Sequence, residues 1–170
     1  MSMAGLHEDE DLFAGVRTTV RRRVIWLAIN LATAVFAANV VGLFEATIEK
    51  VVALAVLMPI VASMGGIAGS QTLVLIIRGL ALGQVETANA RWLLVREIMV
   101  GLLNGVLLAG LVGIAAGLWF HKWTLGLIIF SALMINLFAA AMAGVGVPLI
   151  LRKMGIDPAL AGSVVLTTVT

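Results

Sequence analysis

The chain has 170 residues, of which 62% are hydrophobic and 12% charged, and it contains no cysteine. Soluble domains are about half apolar and about a quarter charged, so this composition excludes an ordinary soluble domain, and the lack of cysteine excludes disulfides and thiolate metal sites. The formal net charge of +2 is distributed over several loops and does not indicate nucleic-acid binding. Long, continuous apolar runs predict an all-α integral membrane helix bundle, because barrel strands would alternate polar and apolar residues.

The first 23 residues are mostly polar, with an acidic stretch from Glu8 to Asp11 followed by Arg17 and the run Arg21 to Arg23. We expect residues 1–23 to be a cytoplasmic N-terminal connecting segment. The transmembrane domain is then expected to occupy residues 24–170.

Five transmembrane helices per subunit are predicted, because about 20 apolar residues are needed to cross the hydrocarbon. Four of them cover residues 24–44, 51–77, 92–120 and 123–150, with residues 45–50 as a polar link and residues 78–91 as a loop that is helical in part. A fifth begins at Asp157 and Pro158, which are typical of a helix cap and a first helical turn. Up to Thr170 it has too few residues to cross at 1.5 Å each, so we expect the fifth span to be incomplete.

The basic residues predict the orientation. With the N-terminus inside, only Lys50 and Lys122 face outward, which satisfies the positive-inside rule. The protein is therefore expected in the plasma (inner) membrane of the cell, as a multi-pass protein in the lipid bilayer. The basic residues on the cytoplasmic side would be Arg17, Arg21, Arg22, Arg23, Arg78, Arg91, Arg96, Arg152 and Lys153.

The second span contains residues that are unusual at membrane depth. Gly65, Gly66 and Gly69 each weaken a helix by about 1 kcal/mol relative to alanine, and polar side chains from Ser63 to Thr72 surround them. The spacing of Gly65 and Gly69 by itself favours close helix packing, as it does for Gly101 with Gly105 and Gly113 with Gly117. The polar surroundings allow a second interpretation, an interrupted helix whose freed carbonyls line a cation path.

The positions of the other polar residues indicate their expected roles. Asn30, Asn39, Asn104 and Asn136 lie within spans, where hydrogen bonds between helices are expected, with Asn104 and Asn136 as possible ion ligands. Glu97 is expected to pair with Arg78, Arg91 or Arg96. Glu45 and Glu49, at the outer mouth, are either solvated loop residues that pair with Lys50 or carboxylates that attract cations. No catalytic motif is present, so we expect no enzymatic activity.

Four stretches of the sequence resemble the MgtE family of Mg²⁺ channels. The second span contains Pro59, Gly65-Gly66, Gly69-Ser70-Gln71 and Ile77-Arg78-Gly79-Leu80-Ala81 in the family's order, and Gly42-Leu43-Phe44-Glu45 is similar to the end of the family's first helix. Residues 148–160 resemble the approach to the fifth helix, and residues 167–170 are similar to the start of its T-x-T-D pattern. The resemblance covers the whole hydrophobic part of the chain.

This resemblance implies Mg²⁺ influx through a homodimeric channel, with Mg²⁺ as the transported ion. It also implies regulation by cytoplasmic N and CBS domains that sense Mg²⁺. The ion path would be lined by the second and fifth helices of both subunits. On this chain the corresponding positions are Gly65, Gly66, Ile67, Gly69, Ser70, Gln71, Ser163, Thr167 and Thr168.

The sequence differs from the family pattern at two positions. Ile67 stands where the family has an asparagine, and the pattern's ion-binding aspartate would follow Thr170. We therefore expect a fifth helix truncated before that carboxylate, and poor conduction by the chain as it stands. A secondary cation exchanger that uses the same broken helix is the alternative function, and a membrane scaffold without transport activity is a third.

Overall fold

The computed structural model describes residues 15–85 and 87–170, without the side chains of residues 18, 19, 22, 23, 26, 87, 88 and 160. The described part is all-helical, as predicted, and contains no strand. Its helices, in chain order, are α1 (Val16–Gly42), α2 (Glu45–Lys50), α3 (Val52–Ala81), α4 (Thr87–Trp119), α5 (Trp123–Lys153) and α6 (Pro158–Val169).

Three helices of the described part are long and apolar enough to cross a membrane. They are Val52–Ala81, Asn89–Trp119 and Trp123–Lys153, with mean hydropathies of 2.0, 2.3 and 2.3. A shorter apolar segment, Leu27–Gly42, lies within α1, and α6 has 12 residues. The membrane helix bundle is thereby confirmed, whereas the count of five spans stays a prediction.

The stretch predicted as a partly helical loop, residues 78–91, is helical for most of its length. α3 continues to Ala81 and α4 begins at Thr87, because polar residues such as Arg78 extend these helices on an exposed surface without breaking them. The chain turns at Gly83, whose φ of 68° suits glycine. The polar link over residues 45–50 is also helical, as α2, and part of the connecting segment (residues 16–23) belongs to α1. Residues 1–14 of that segment lie outside the described residues.

The start of α6 confirms the predicted helix cap. Asp157 precedes the helix, its Oδ1 accepts a hydrogen bond from the backbone nitrogen of Ala159 at 2.8 Å, and Pro158 occupies the first helical position. Gly155, with a φ of 72°, reverses the chain just after α5. This tight turn brings α6 back against the helices that precede it.

α5 is the central helix and packs against α3, α4 and α6, while α1 contacts α6. Small residues allow close approach of α4 and α5. A Cβ on Gly101 would lie 2.9 Å from the Cβ of Ala141, and one on Gly113 would lie 2.9 Å from the carbonyl oxygen of Gly126. The packing interpretation of the glycine spacings in α4 is therefore confirmed.

α3 is continuous through Gly65, Gly66 and Gly69, so the expectation of an interrupted second span was wrong. The glycines cost helix propensity, but contacts with neighbouring helices offset this cost, since Gly65 and Gly69 are both buried. Pro59 is also accommodated inside the helix. The site in this region is therefore built on a regular helix and not on a break.

Candidate functional site

The second and fifth predicted spans, α3 and α6, pack against each other in a regular register. A Cβ on Gly162 would lie 3.1 Å from Leu73, a Cβ on Gly69 would lie 2.7 Å from Leu166, and one on Gly66 would lie 4.0 Å from the Oγ1 of Thr170. Residue numbers rise along α6 as they fall along α3, so the two helices run antiparallel. At two of these three contacts, a leucine of one helix packs against a glycine of the other.

Gly65 faces a different helix. Asn136 of α5 fills the space that a Cβ on Gly65 would occupy, with its Cγ 2.6 Å from that position. Its Nδ2 donates a hydrogen bond to the carbonyl oxygen of Val61 at 2.5 Å. Asn136 therefore acts between helices, as expected of a polar residue in a membrane span, and its amide is engaged with α3.

The predicted path residues divide into two groups by burial. Gly65 and Gly69 are buried in helix packing, whereas Gly66 is half-buried and Ile67 is 52% exposed. The remaining members of the predicted set are exposed on the single chain: Ser70, Gln71, Ser163, Thr167 and Thr168. The two buried glycines thus support the fold, and the other positions supply the surface that a solute could contact.

The hydroxyl groups at this surface are fixed by the backbone. Ser70 donates to the carbonyl oxygen of Gly66 at 2.7 Å, and Thr167 and Thr168 both donate to that of Val164 at 2.9 Å. The expected free carbonyl at Gly66 is therefore absent, because this oxygen accepts a hydroxyl hydrogen bond within a continuous helix. A hydroxyl that donates in this way keeps its oxygen lone pairs, so it can still accept a hydrogen bond from an ion-bound water.

Thr170 and Asn30 were not predicted to belong to this site. Thr170 lies beside Gly66, and its Oγ1 donates to the carbonyl oxygen of Leu166 at 3.0 Å. The hydroxyl oxygen of Thr167 lies 3.5 Å from the Oδ1 of Asn30 in α1, which joins the first span to α6. The polar character of both residues within apolar runs was the available signal, but their partners depend on the tertiary packing.

A second polar feature lies between α3 and α4. The Oγ1 of Thr72 donates to the Oε2 of Glu97 at 3.2 Å, and Arg96 contacts the Oε1 at 3.1 Å, which confirms the predicted pairing of Glu97 with an arginine. Glu97 is only 6% exposed. A cavity of about 140 Å³ adjoins this pair, and Gln71 and Asn104 are among its lining residues. Gln71 of the predicted path and Asn104 therefore line the same cavity on the α4 side of α3.

Acidic residues do not form a metal cluster in the described part of the chain. No group of three or more His, Cys, Asp or Glu side chains occurs there. Glu45 and Glu49, the residues predicted for the outer mouth, are exposed on the short helix α2. Within residues 15–85 and 87–170, neither is paired with Lys50 within 4.0 Å. The polar chemistry along α3 and α6 thus comes from hydroxyl and amide groups.

Comparisons with known proteins match the chain to one family. The profile of the MgtE family, described as "Divalent cation transporter", matches residues 58–170. The "Magnesium transporter MgtE" of Bacillus subtilis is 33% identical over 147 residues, which are 86% of this chain and 33% of the relative. The proteins of the same name from Enterococcus faecalis and Thermus thermophilus are 29% and 32% identical over 88% and 87% of the chain. The chain spans about a third of the length of each relative, 33% in all three cases.

Proposed function

The chain belongs to the MgtE family of divalent cation transporters, and from this premise we propose that it forms the membrane path through which Mg²⁺ enters the cell. The path would lie between two copies of the chain and be lined by α3 and α6. One observation carries this proposal: α3 and α6 form an antiparallel pair whose hydroxyl groups are exposed on an otherwise apolar bundle.

The proposed homodimer follows from the cost of exposing these groups. Polar side chains at membrane depth are costly unless they face protein or water. Ser70 and Thr167 are exposed on the single chain, so a second copy that covers them would enclose them together with water. The exposed hydrophobic residues elsewhere on the bundle suit contact with lipid.

The chemistry of these groups suits a cation that keeps its water. Mg²⁺ gives up water reluctantly and usually binds proteins through few direct ligands. Hydroxyl oxygens held as in Ser70 and Thr168 would accept hydrogen bonds from the waters of the ion. The inside-negative potential would drive entry with roughly 2.3 kcal/mol per charge per 100 mV. In the family pattern a carboxylate follows Thr170, and it would hold the hydrated ion near the level of Gly66.

Ile67 is the position that separates this chain from the family pattern. It is 52% exposed on α3, one residue from Gly66, and an apolar side chain there offers no hydrogen bond to a hydrated ion. We expect an amide at this position to raise Mg²⁺ flux. Ile114 of α4 is a matched control, because it is the same residue type and is 56% exposed.

The test is Mg²⁺ flux into liposomes that contain the full-length protein, its Ile67→Asn variant or its Ile114→Asn variant. The flux should follow the electrochemical gradient of Mg²⁺ without any counter-ion gradient, and it should rise with Ile67→Asn alone. A flux that requires a counter-ion gradient would favour the exchanger. The absence of flux from all three forms, when each is folded, would overturn the transport proposal.

A further inference from the structure

A second cavity lies at the end of the bundle where the α2–α3 and α4–α5 connections meet. It has a volume of about 360 Å³, within the range of about 300–1,000 Å³ that is common for small-molecule pockets. Lys50, Lys122 and Thr124 supply its polar groups, and Val52, Phe120 and Ile128 belong to its apolar wall. It lies apart from the proposed ion path, and none of its lining residues belongs to that path.

The backbones at the two lysines lie in hydrogen-bonded turns. The residue after Lys50 donates its backbone N–H to the carbonyl oxygen of Thr47 at 3.2 Å. The backbone nitrogen of Lys122 donates to the carbonyl oxygen of Gly117 at 3.1 Å, and the preceding residue, His121, has a φ of 51°. A left-handed conformation at His121 is uncommon for a residue other than glycine. The backbones that carry both ammonium groups are thereby fixed at the rim of one cavity.

Within the described part of the chain, both lysines lack a carboxylate partner. Across residues 15–85 and 87–170, no aspartate or glutamate lies within 4.0 Å of either side chain, and Glu45 and Glu49 of the neighbouring α2 do not line the cavity. Two positive charges beside a partly apolar cavity are complementary to a ligand that is both anionic and apolar.

The position of the cavity indicates where such a ligand would come from. Trp119 and Trp123, at the ends of the two helices that flank the α4–α5 turn, are strongly exposed. Tryptophans in such positions are typical of the boundary between the lipid tails and the headgroups. The exposed tryptophans therefore indicate that the cavity lies at the level of phospholipid headgroups.

We propose that this cavity binds a phospholipid of the surrounding bilayer, with its phosphate held by Lys50 and Lys122. The ammonium groups donate charge-assisted hydrogen bonds to the phosphate oxygens, and the hydroxyl of Thr124 supplies a further donor. The glycerol and the upper part of the acyl chains pack on Val52, Phe120 and Ile128. Basic pockets between membrane helices are suited to phosphate headgroups for this reason.

The test is native mass spectrometry of the full-length protein in detergent, titrated with phosphatidylglycerol. Replacing both lysines by glutamine should lower the affinity for the first bound lipid by about 30-fold, because each lysine near the surface contributes a factor of about 5 and the two factors multiply. Lys153→Gln is the matched control, since Lys153 is an exposed lysine in the last turn of α5, away from the cavity. It should leave the affinity unchanged.

Four results would overturn the proposal. Equal lipid binding by the double glutamine variant and the wild type would mean that the lysines merely extend into water. Equal binding of diacylglycerol, which lacks a phosphate, would identify an apolar groove without headgroup recognition, and displacement of the lipid by millimolar inorganic phosphate would identify a site for the free anion. If the double glutamine variant does not fold, the double arginine variant keeps both charges and must retain lipid binding, so its loss of binding would also overturn the proposal.

Discussion

Asn136 of α5 occupies the gap that the missing side chain of Gly65 leaves on α3. Its Nδ2 lies 2.5 Å from the carbonyl oxygen of Val61, one turn before the glycine. The glycine and the asparagine are thus a matched pair across a helix crossing. This pairing gives Gly65 a role in packing that is separate from any contact with an ion.

Gly65→Ala should therefore destabilise the bundle. The added Cβ would lie 2.6 Å from the Cγ of Asn136, and overpacking of this kind costs about 1–3 kcal/mol. The apparent free energy of unfolding, measured by SDS titration in mixed micelles, should fall by that amount. Adding Asn136→Ala should recover part of the loss, because the clash is removed and the two effects are coupled.

Gly110→Ala is the control for this prediction. A Cβ at Gly110 in α4 has nothing within 4 Å, so the change should be neutral or stabilising by up to about 1 kcal/mol. An equal loss of stability in the two alanine variants would contradict the pairing of Gly65 with Asn136.

Gly66→Ala should separate folding from transport. The nearest atom to the added Cβ is the Oγ1 of Thr170 at 4.0 Å, so the fold has room for the methyl group and stability should change by less than about 1 kcal/mol. Because Gly66 lies on the proposed path beside Ser70, Mg²⁺ flux into liposomes should nevertheless decrease. Unchanged flux in a folded Gly66→Ala protein would argue against a path along this side of α3.

Thr72→Val should destabilise the protein, because it removes a hydrogen-bond donor to the buried carboxylate of Glu97 between α3 and α4. The Oε2 of Glu97 accepts the hydroxyl of Thr72 at 3.2 Å, and loss of that donor leaves a buried charged oxygen with poorer hydrogen bonding. We expect a loss of about 1–3 kcal/mol in the free energy of unfolding. Thr72→Ser keeps the hydroxyl and should retain most of the stability. If serine and valine cost the same, the hydrogen bond contributes nothing.

Asp157→Ala should loosen the start of α6. The carboxylate accepts the N–H of Ala159 at 2.8 Å, and removing such a cap costs about 0.5–2 kcal/mol. Hydrogen–deuterium exchange of the backbone amides at residues 159–162 should accelerate, while exchange in α5 should not change. Asp157→Asn and Asp157→Ser can still cap the helix and should protect these amides.

Local features of the chain were predictable where a single helix decides them. The cap at Asp157 and the apolar lengths of α3, α4 and α5 follow from residue types and from the distance that a helix must cross. The ends of α3 and α4 were not predicted, because polar residues beyond the membrane can extend a helix as readily as they form a loop. Positive φ at Gly83 marks the true turn.

The candidate site was predictable only in outline. The polar and glycine residues of α3 were identified from the free-energy cost of placing them in an apolar membrane helix. This cost does not distinguish a residue that packs against another helix from one that faces a solute. Gly65 and Gly66 are neighbours in the chain, yet one meets Asn136 and the other lies near Thr170. A step of one residue along a helix rotates the side-chain direction by about 100°, so adjacent glycines face different neighbouring helices.

The sequence by itself determined that the protein is a bundle of membrane helices related to divalent cation transporters, because apolar composition, helix length and the motifs of α3 and α6 are properties of the linear chain. Only the tertiary structure determined that α3 is continuous. It also determined which side chains pack against the glycines of α3. The tertiary structure also places the hydroxyl of Thr72 against the carboxylate of Glu97, and it places Lys50 and Lys122 at the same cavity. Such pairings join distant parts of the chain, and they depend on how whole helices cross and turn.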